Sequence, residues 1–85
     1  MPPRNMPRRD LHVTPRQRQI LNLAARGLTD KEIASELRIA IGTVRTHLEH
    51  LYRDNGLRNK TEAVAVWQHH LEAEGRRRHR PPQPD

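Results

Sequence analysis

The 85-residue chain contains no cysteine, no phenylalanine, and only one tryptophan and one tyrosine. Without thiols it can form neither a disulfide framework nor a thiolate zinc site, and it has no cysteine nucleophile. With so few aromatic side chains, its core must be built from leucine, isoleucine, valine and alanine, which suits short packed helices. A chain of this length supports one compact core, so an enzyme with a deep pocket is not expected.

Long hydrophobic runs are absent as well. No stretch reaches the length of a membrane span, and the charged first ten residues are not followed by the apolar run of a signal peptide. The sequence therefore predicts no membrane partner and a cytoplasmic location. It also has no nucleophile, paired acid and base, or phosphate-binding loop at useful spacing. We expect no catalytic residue and no cofactor.

The formal net charge of +6 does not come from the part of the chain that can fold. Residues 10–75 hold nine cations and nine anions, so the arginine-rich ends supply the whole excess. The ends, residues 1–10 and 75–85, cannot bury apolar surface and are predicted to be disordered arms flanking one domain of residues 11–74. If this domain binds DNA, it must use a local patch. The arms either attract phosphate nonspecifically or only increase solubility.

Capping signals divide the middle of the chain into four predicted helices with short connections. Three segments have a capping residue followed three positions later by Gln or Glu, and they begin at Thr14, Thr29 and Asn59. Glycine often ends a helix, and the predicted helix ends lie at or near Gly27, Gly56 and Gly75. About three residues separate the second and third helices, which is the spacing of a helix-turn-helix. The sequence predicts an all-α four-helix bundle.

The third predicted helix has a polar outer face. With Val44, Leu48 and Leu51 turned inward, the outward side chains are Arg45, Thr46, Glu49, His50 and Arg53. Side chains of these types can contact base edges and phosphates. An alternative interpretation is that Arg45 is solvated and paired with Glu49 four residues later.

The histidines do not indicate a metal site. His47 with His50, and His69 with His70, are close in sequence, but no acidic or thiol partner completes a tetrahedral site at suitable spacing. We expect no bound metal, and we expect His47 to be a packing or hydrogen-bonding residue.

Six short segments occur in order over residues 11–71: Val13-Thr14-Pro15-Arg16, Gly27-Leu28-Thr29, Lys31-Glu32-Ile33-Ala34, Thr43-Val44-Arg45-Thr46-His47-Leu48, Leu51-Tyr52-Arg53 and Thr61-Glu62-Ala63-Val64. Together they resemble the LuxR-type DNA-binding domain, also called NarL/FixJ or GerE-type, in its stand-alone form. The resemblance implies a bacterial transcriptional regulator that binds double-stranded DNA at an inverted repeat. It also implies that the third helix enters the major groove and that the fourth helix forms a homodimer on DNA.

Carried over by position, the resemblance implies three sets of residues. The base-contacting set is Arg45, Thr46 and Glu49. The phosphate-contacting set is Lys31, Thr43, Arg53, Arg58, Lys60 and Thr61. The dimerisation set is Ala63, Trp67 and His70.

The chain departs from the family pattern at several positions. Arg38 and Ala40 stand where the family usually has a turn glycine and a Ser or Thr cap, so we expect a strained turn and a missing cap. Glu49 is an acid at a position that is often basic or Ser, which predicts an unusual base preference. Asp54 stands where a basic residue is common and Asn55 where Leu is common, which predicts reduced DNA affinity.

These departures keep two alternatives open. The first is a protein-interaction module that pairs with another regulator without itself binding DNA, which Glu49 and Asp54 favour. The second is a promoter-reading region of a sigma factor, which shares the helix-turn-helix geometry. The predicted helix that contains Thr61–Val64, directly after the recognition helix, argues against this second alternative.

Overall fold

The computed structural model describes residues 11–78, which form four α-helices joined by short loops. The helices are α1 (Pro15–Ala25), α2 (Asp30–Leu37), α3 (Ile41–Asn55) and α4 (Lys60–Arg78). The predicted all-α fold class is confirmed. The N-terminal arm predicted for residues 1–10, and residues 79–85 of the tail predicted for residues 75–85, lie outside the described residues. Within residues 11–78, no helix is both long and apolar enough to cross a membrane.

The first two helices begin with the predicted capping boxes. Thr14 Oγ1 accepts from the Gln17 backbone N–H at 3.1 Å, and Gln17 Oε1 accepts from the Thr14 N–H at 3.0 Å. Thr29 and Glu32 make the same reciprocal pair at 3.1 and 2.8 Å. Each box satisfies backbone donors that have no partner inside the helix, so these helices begin where the sequence indicates.

Helix α4 begins with half of the predicted capping box. Asn59 Oδ1 accepts from the Glu62 N–H at 2.9 Å, but Glu62 Oε1 accepts from the Arg58 N–H at 2.7 Å instead of from Asn59. The predicted end near Gly75 is also wrong, because the helix continues to Arg78. Arginine is a good helix former, and an interior glycine costs a helix only about 1 kcal/mol.

The turn of the helix-turn-helix confirms the expected strain and the missing cap. Arg38 ends α2 in the left-handed conformation, with φ of 59° and ψ of 45°. It is the only non-glycine residue with positive φ in residues 11–78. Ala40 precedes α3 and provides no side-chain hydrogen bond to cap it. The turn therefore lacks both a glycine at its left-handed position and a side-chain cap at the start of α3.

The core contains apolar side chains from all four helices. Its ten buried members are Ile20, Leu21, Ala24, Ile33, Ala34, Val44, Leu48, Leu51, Ala63 and Trp67. Helix α3 packs against both α1 and α2, and α4 packs on α1. This packing places the buried face of α3 inside the bundle and leaves its opposite face at the surface.

Asn55 joins the segment before α1 to the end of α3. Its Oδ1 accepts from the His12 N–H at 2.7 Å, and its Nδ2 donates to the His12 carbonyl at 3.0 Å. The same amide donates to the Leu51 carbonyl at 2.9 Å. A leucine at this position could make none of these hydrogen bonds, so this departure from the family pattern has a structural role.

Candidate nucleic-acid interface

The outer face of α3 is exposed as predicted. Val44, Leu48 and Leu51 are at most 3% exposed. The exposed residues on the other side of the helix are Arg45, Thr46, Glu49, His50 and Arg53. The predicted orientation of α3 is therefore confirmed, and contact between this face and DNA stays a prediction.

Carboxylates lie close to most of the cations in the predicted DNA-contacting sets. Four ion pairs involve these cations, namely Arg45–Asp30 at 3.7 Å, Arg53–Asp54 at 3.8 Å, Arg58–Glu62 at 3.9 Å and Lys60–Asp30 at 3.0 Å. Arg45 thus pairs with α2 and not with Glu49, contrary to the alternative interpretation. The Arg53–Asp54 and Arg58–Glu62 pairs are long and exposed, so each contributes little to stability. The Arg45–Asp30 pair is nearly as long, but the Asp30 side chain is only 26% exposed.

Lys60 is held more firmly than the three arginines. Its Nζ donates to Asp30 Oδ1 at 3.0 Å and to the Leu28 carbonyl at 3.1 Å. Tyr52 is half-buried in the same region, and burial raises the pKa of its phenol, with a further rise from the negative charge of Asp30. Lys60, predicted to contact phosphate, therefore joins the start of α4 to the start of α2.

The other three residues of the phosphate-contacting set lie at helix starts. Lys31, Thr43 and Thr61 are exposed and lie in the first turns of α2, α3 and α4 respectively. Backbone N–H groups in a first turn lack intrahelical partners, and the positive end of the helix dipole favours anions there. These three positions are chemically suited to phosphate, and their contact with DNA stays a prediction.

The residues predicted to mediate dimerisation face inward. Ala63 and Trp67 are each 1% exposed within a single protomer. Trp67 Nε1 donates to Asn22 Oδ1 at 2.8 Å, and the half-buried His70 stacks on the Trp67 ring at a centroid distance of 5.3 Å. The side chains of Ala63 and Trp67 therefore hold α4 on α1 and offer no surface to a second copy.

The exposed residues of α4 differ from those that the sequence predicted for dimerisation. Ala65, Gln68, Leu71 and Glu72 are exposed. Leu71 is the exposed large hydrophobic residue of the described chain, at 38%. Ala65 and Glu72 lie on the opposite side of the helix from Ala63 and Trp67, but the sequence does not show which side is buried. Leu71 lies one turn after Trp67, so spacing alone would have placed it on the buried side. Asp30, which pairs with two predicted DNA contacts, was also missed, and no local signal indicates those pairs.

The histidines within residues 11–78 do not assemble into a metal-binding cluster. His47 is half-buried, and its carbonyl accepts a hydrogen bond from Gln17 Nε2 at 3.4 Å. His70 packs on Trp67 and lies 3.4 Å from the carboxylate of Glu74. Across residues 11–78, no three side chains of His, Cys, Asp or Glu lie close enough together to hold a metal ion.

Comparison with known proteins identifies the family of this chain. Residues 12–67 match the family described as bacterial regulatory proteins, luxR family. The chain is 40% identical over 60 residues to the probable HTH-type transcriptional regulator GfsR of Streptomyces halstedii, covering 71% of this chain and 25% of that protein. It is 46% identical over 57 residues to the nitrate/nitrite response regulator protein NarL of Escherichia coli (strain K12), covering 67% of this chain and 26% of that protein.

A third relative also matches most of this chain over only part of its own length. The putative HTH-type transcriptional regulator YhjB of Escherichia coli (strain K12) is 42% identical over 67 residues, which cover 74% of this chain and 34% of that protein. The chain therefore spans about a quarter to a third of the length of these curated relatives. The matched residues include α2, the turn and all of α3. The chain belongs to the luxR family of bacterial regulatory proteins, whose members are helix-turn-helix transcriptional regulators.

Proposed function

We propose that this chain binds double-stranded DNA sequence-specifically, with α3 in the major groove. The observation that carries the proposal is the outer face of α3, where Arg45, Thr46 and Glu49 are exposed opposite a buried apolar face. A helix held in the bundle by one face and polar on the other has the shape and chemistry that major-groove recognition requires.

In this proposal, different elements position the domain and read the sequence. Lys31, Thr43 and Thr61 are in the first turns of three helices, where backbone N–H groups and the helix dipole favour phosphate. Arg45 can donate two hydrogen bonds to guanine, and Glu49 can accept one from the amino group of cytosine. Phosphate contacts would set the position of α3, and its side chains would select the bases.

The first experiment selects bound sequences from a random DNA pool and then tests Arg45→Ala on the selected site. We expect specific affinity to fall by about 1–3 kcal/mol and base preference to relax at one base pair in each half-site. Arg26→Ala is the matched control, because Arg26 is exposed at the end of α1 and outside the proposed interface.

Two results would contradict the proposal. Recovery of no preferred sequence from the pool would refute sequence-specific binding. An equal loss of affinity by Arg45→Ala on selected and random duplexes would show that Arg45 contacts only phosphate.

We further propose that two copies bind an inverted repeat through the exposed side of α4. Ala65, Gln68 and Leu71 are exposed on this helix, whereas Ala63 and Trp67 are in the core. One helix offers less area than the roughly 1,000 Å² that a stable interface needs, so the dimer should be weak in solution and form on DNA.

Ala65→Glu tests this contact, with Ser35→Glu on the exposed side of α2 as the matched control. We expect Ala65→Glu to reduce cooperative binding to the full inverted repeat while leaving half-site binding in place. Full-site cooperativity equal to that of the control would place the dimer contact elsewhere.

A second candidate function is pairing with another regulator without DNA binding. The four ion pairs that neutralise predicted DNA-contacting cations favour this candidate. Fluorescence polarisation on genomic fragments across salt concentrations separates the two functions. DNA binding predicts a steep loss of affinity with salt, whereas the interaction module predicts no binding at any salt concentration.

A further inference from the structure

One carboxylate lies between two cations of the proposed DNA-binding surface. Asp30, the first residue of α2, has Oδ1 3.0 Å from Lys60 Nζ and Oδ2 3.7 Å from Arg45 Nε. Its side chain is only 26% exposed, whereas that of Arg45 is 62% exposed. The two oxygens of one partly buried carboxylate thus face cations from two other helices, α3 and α4.

This arrangement is the one that a DNA phosphate makes with a protein, in which oxygens of one anion attract separate cationic side chains. Lys60 Nζ also donates to the Leu28 carbonyl, so two of its three donors are already used within the chain. When a phosphate approaches, it must share or replace the attraction of Asp30 for Arg45 and Lys60. The gain in electrostatic energy is therefore smaller than for two unpaired cations.

The other carboxylates of this surface are different. Asp54 and Glu62 each lie near one cation, at 3.8 and 3.9 Å, and their side chains are 53% and 38% exposed. Exposed pairs at these distances are weak, and salt screens them. Asp30 is the carboxylate that combines partial burial with two cationic neighbours.

We propose that Asp30 acts as an internal substitute for a DNA phosphate, which weakens nonspecific binding and so increases the sequence selectivity of this surface. The inference rests on the proposed function. On a random sequence, Arg45 would exchange Asp30 only for a phosphate. On the preferred DNA sequence, Arg45 would also gain a contact with a base, which compensates for weakening its ion pair with Asp30.

The test compares the Asp30→Asn variant of the full chain with Glu36→Gln. Glu36 is exposed on the same helix and makes no ion pair with the side chains described in residues 11–75. Each variant removes one negative charge, so the two change the net charge equally. Binding to the selected duplex and to a random duplex is measured by fluorescence polarisation between about 50 and about 200 mM salt.

We expect Asp30→Asn to bind the random duplex more tightly than Glu36→Gln does and to discriminate less between the two duplexes. Each newly engaged phosphate adds about 0.9 to the slope of log affinity against log salt. If Asp30→Asn frees one or two cations to contact phosphate, its affinity should fall more steeply with salt than that of Glu36→Gln. Between about 50 and about 200 mM salt, the loss of affinity should be about 3- to 12-fold greater. In an Arg45→Ala background, the increase in slope should fall by about half.

Two results distinguish failure of the inference from failure of the proposed function. If wild type binds DNA but Asp30→Asn and Glu36→Gln have the same salt slope and selectivity, the inference is wrong and the proposed function stands. If wild type and every variant fail to bind either duplex, both are wrong. If Asp30→Asn does not fold by circular dichroism, Asp30→Ser supplies the same comparison, because Ser also removes the negative charge.

Discussion

The attachment of α4 to the bundle depends on Trp67, and a double-mutant cycle with Asn22 tests it. The Trp67 ring is 1% exposed, its Nε1 donates to Asn22 Oδ1 at 2.8 Å, and the Arg18 guanidinium lies 5.4 Å from the ring centroid. The perturbations are Trp67→Phe, Asn22→Ala and the two combined. Trp67→Phe keeps an aromatic ring in the core and removes the indole donor.

The magnitudes follow from burial and hydrogen bonding. A hydrogen bond of this kind contributes about 1 kcal/mol, and the smaller Phe ring leaves a cavity that costs about 1–2 kcal/mol more. A domain of this size has a free energy of unfolding of about 3–10 kcal/mol, so Trp67→Phe should remain folded. Asn22→Ala loses the same hydrogen bond but gains about 0.6 kcal/mol of helix propensity, so its net effect should be small.

Urea unfolding followed by far-ultraviolet circular dichroism measures the four free energies of unfolding. Trp67 is the only tryptophan, so fluorescence cannot follow the Trp67→Phe variants. We expect a coupling energy of about 1 kcal/mol, because either single substitution already breaks the bond. A coupling energy below about 0.3 kcal/mol in cooperatively folded variants would refute the assignment of the bond as stabilising.

Four further predictions concern local features. Ala40→Ser should raise the free energy of unfolding by about 1 kcal/mol by capping α3, and an unchanged urea midpoint would contradict this. Arg38→Gly should raise it by about 0.5–1 kcal/mol, since glycine accepts the left-handed conformation, and a loss would show that Arg38 is not strained. Asn55→Leu should lower it by about 1–2 kcal/mol. The only tyrosine, Tyr52, should ionise above pH 10.0 in an absorbance titration of the folded chain and at a lower pH in urea. Its raised pKa means that its contribution to stability is complete below pH 10.0 and is lost as pH rises through the folded value.

The helices and their starts could be predicted because the interactions that determine them are local. The Thr14 and Thr29 caps bond to residues three positions away, and the buried face of α3 follows from helical spacing. The end of α4 could not be predicted from Gly75, because helix propensity on both sides of a glycine decides whether the helix continues.

By itself, the sequence determined the four helices and the outward face of α3, since each depends on residues within about one helical turn. The strained turn at Arg38 was indicated by the departure from the family pattern. Tertiary structure decided which side of α4 is exposed and which carboxylate forms an ion pair with Arg45. Trp67 meets Asn22 across 45 positions, and Lys60 meets Asp30 across 30. Such contacts depend on how whole helices pack, because a side chain's partner across the bundle is set by helix orientation and not by its sequence neighbours.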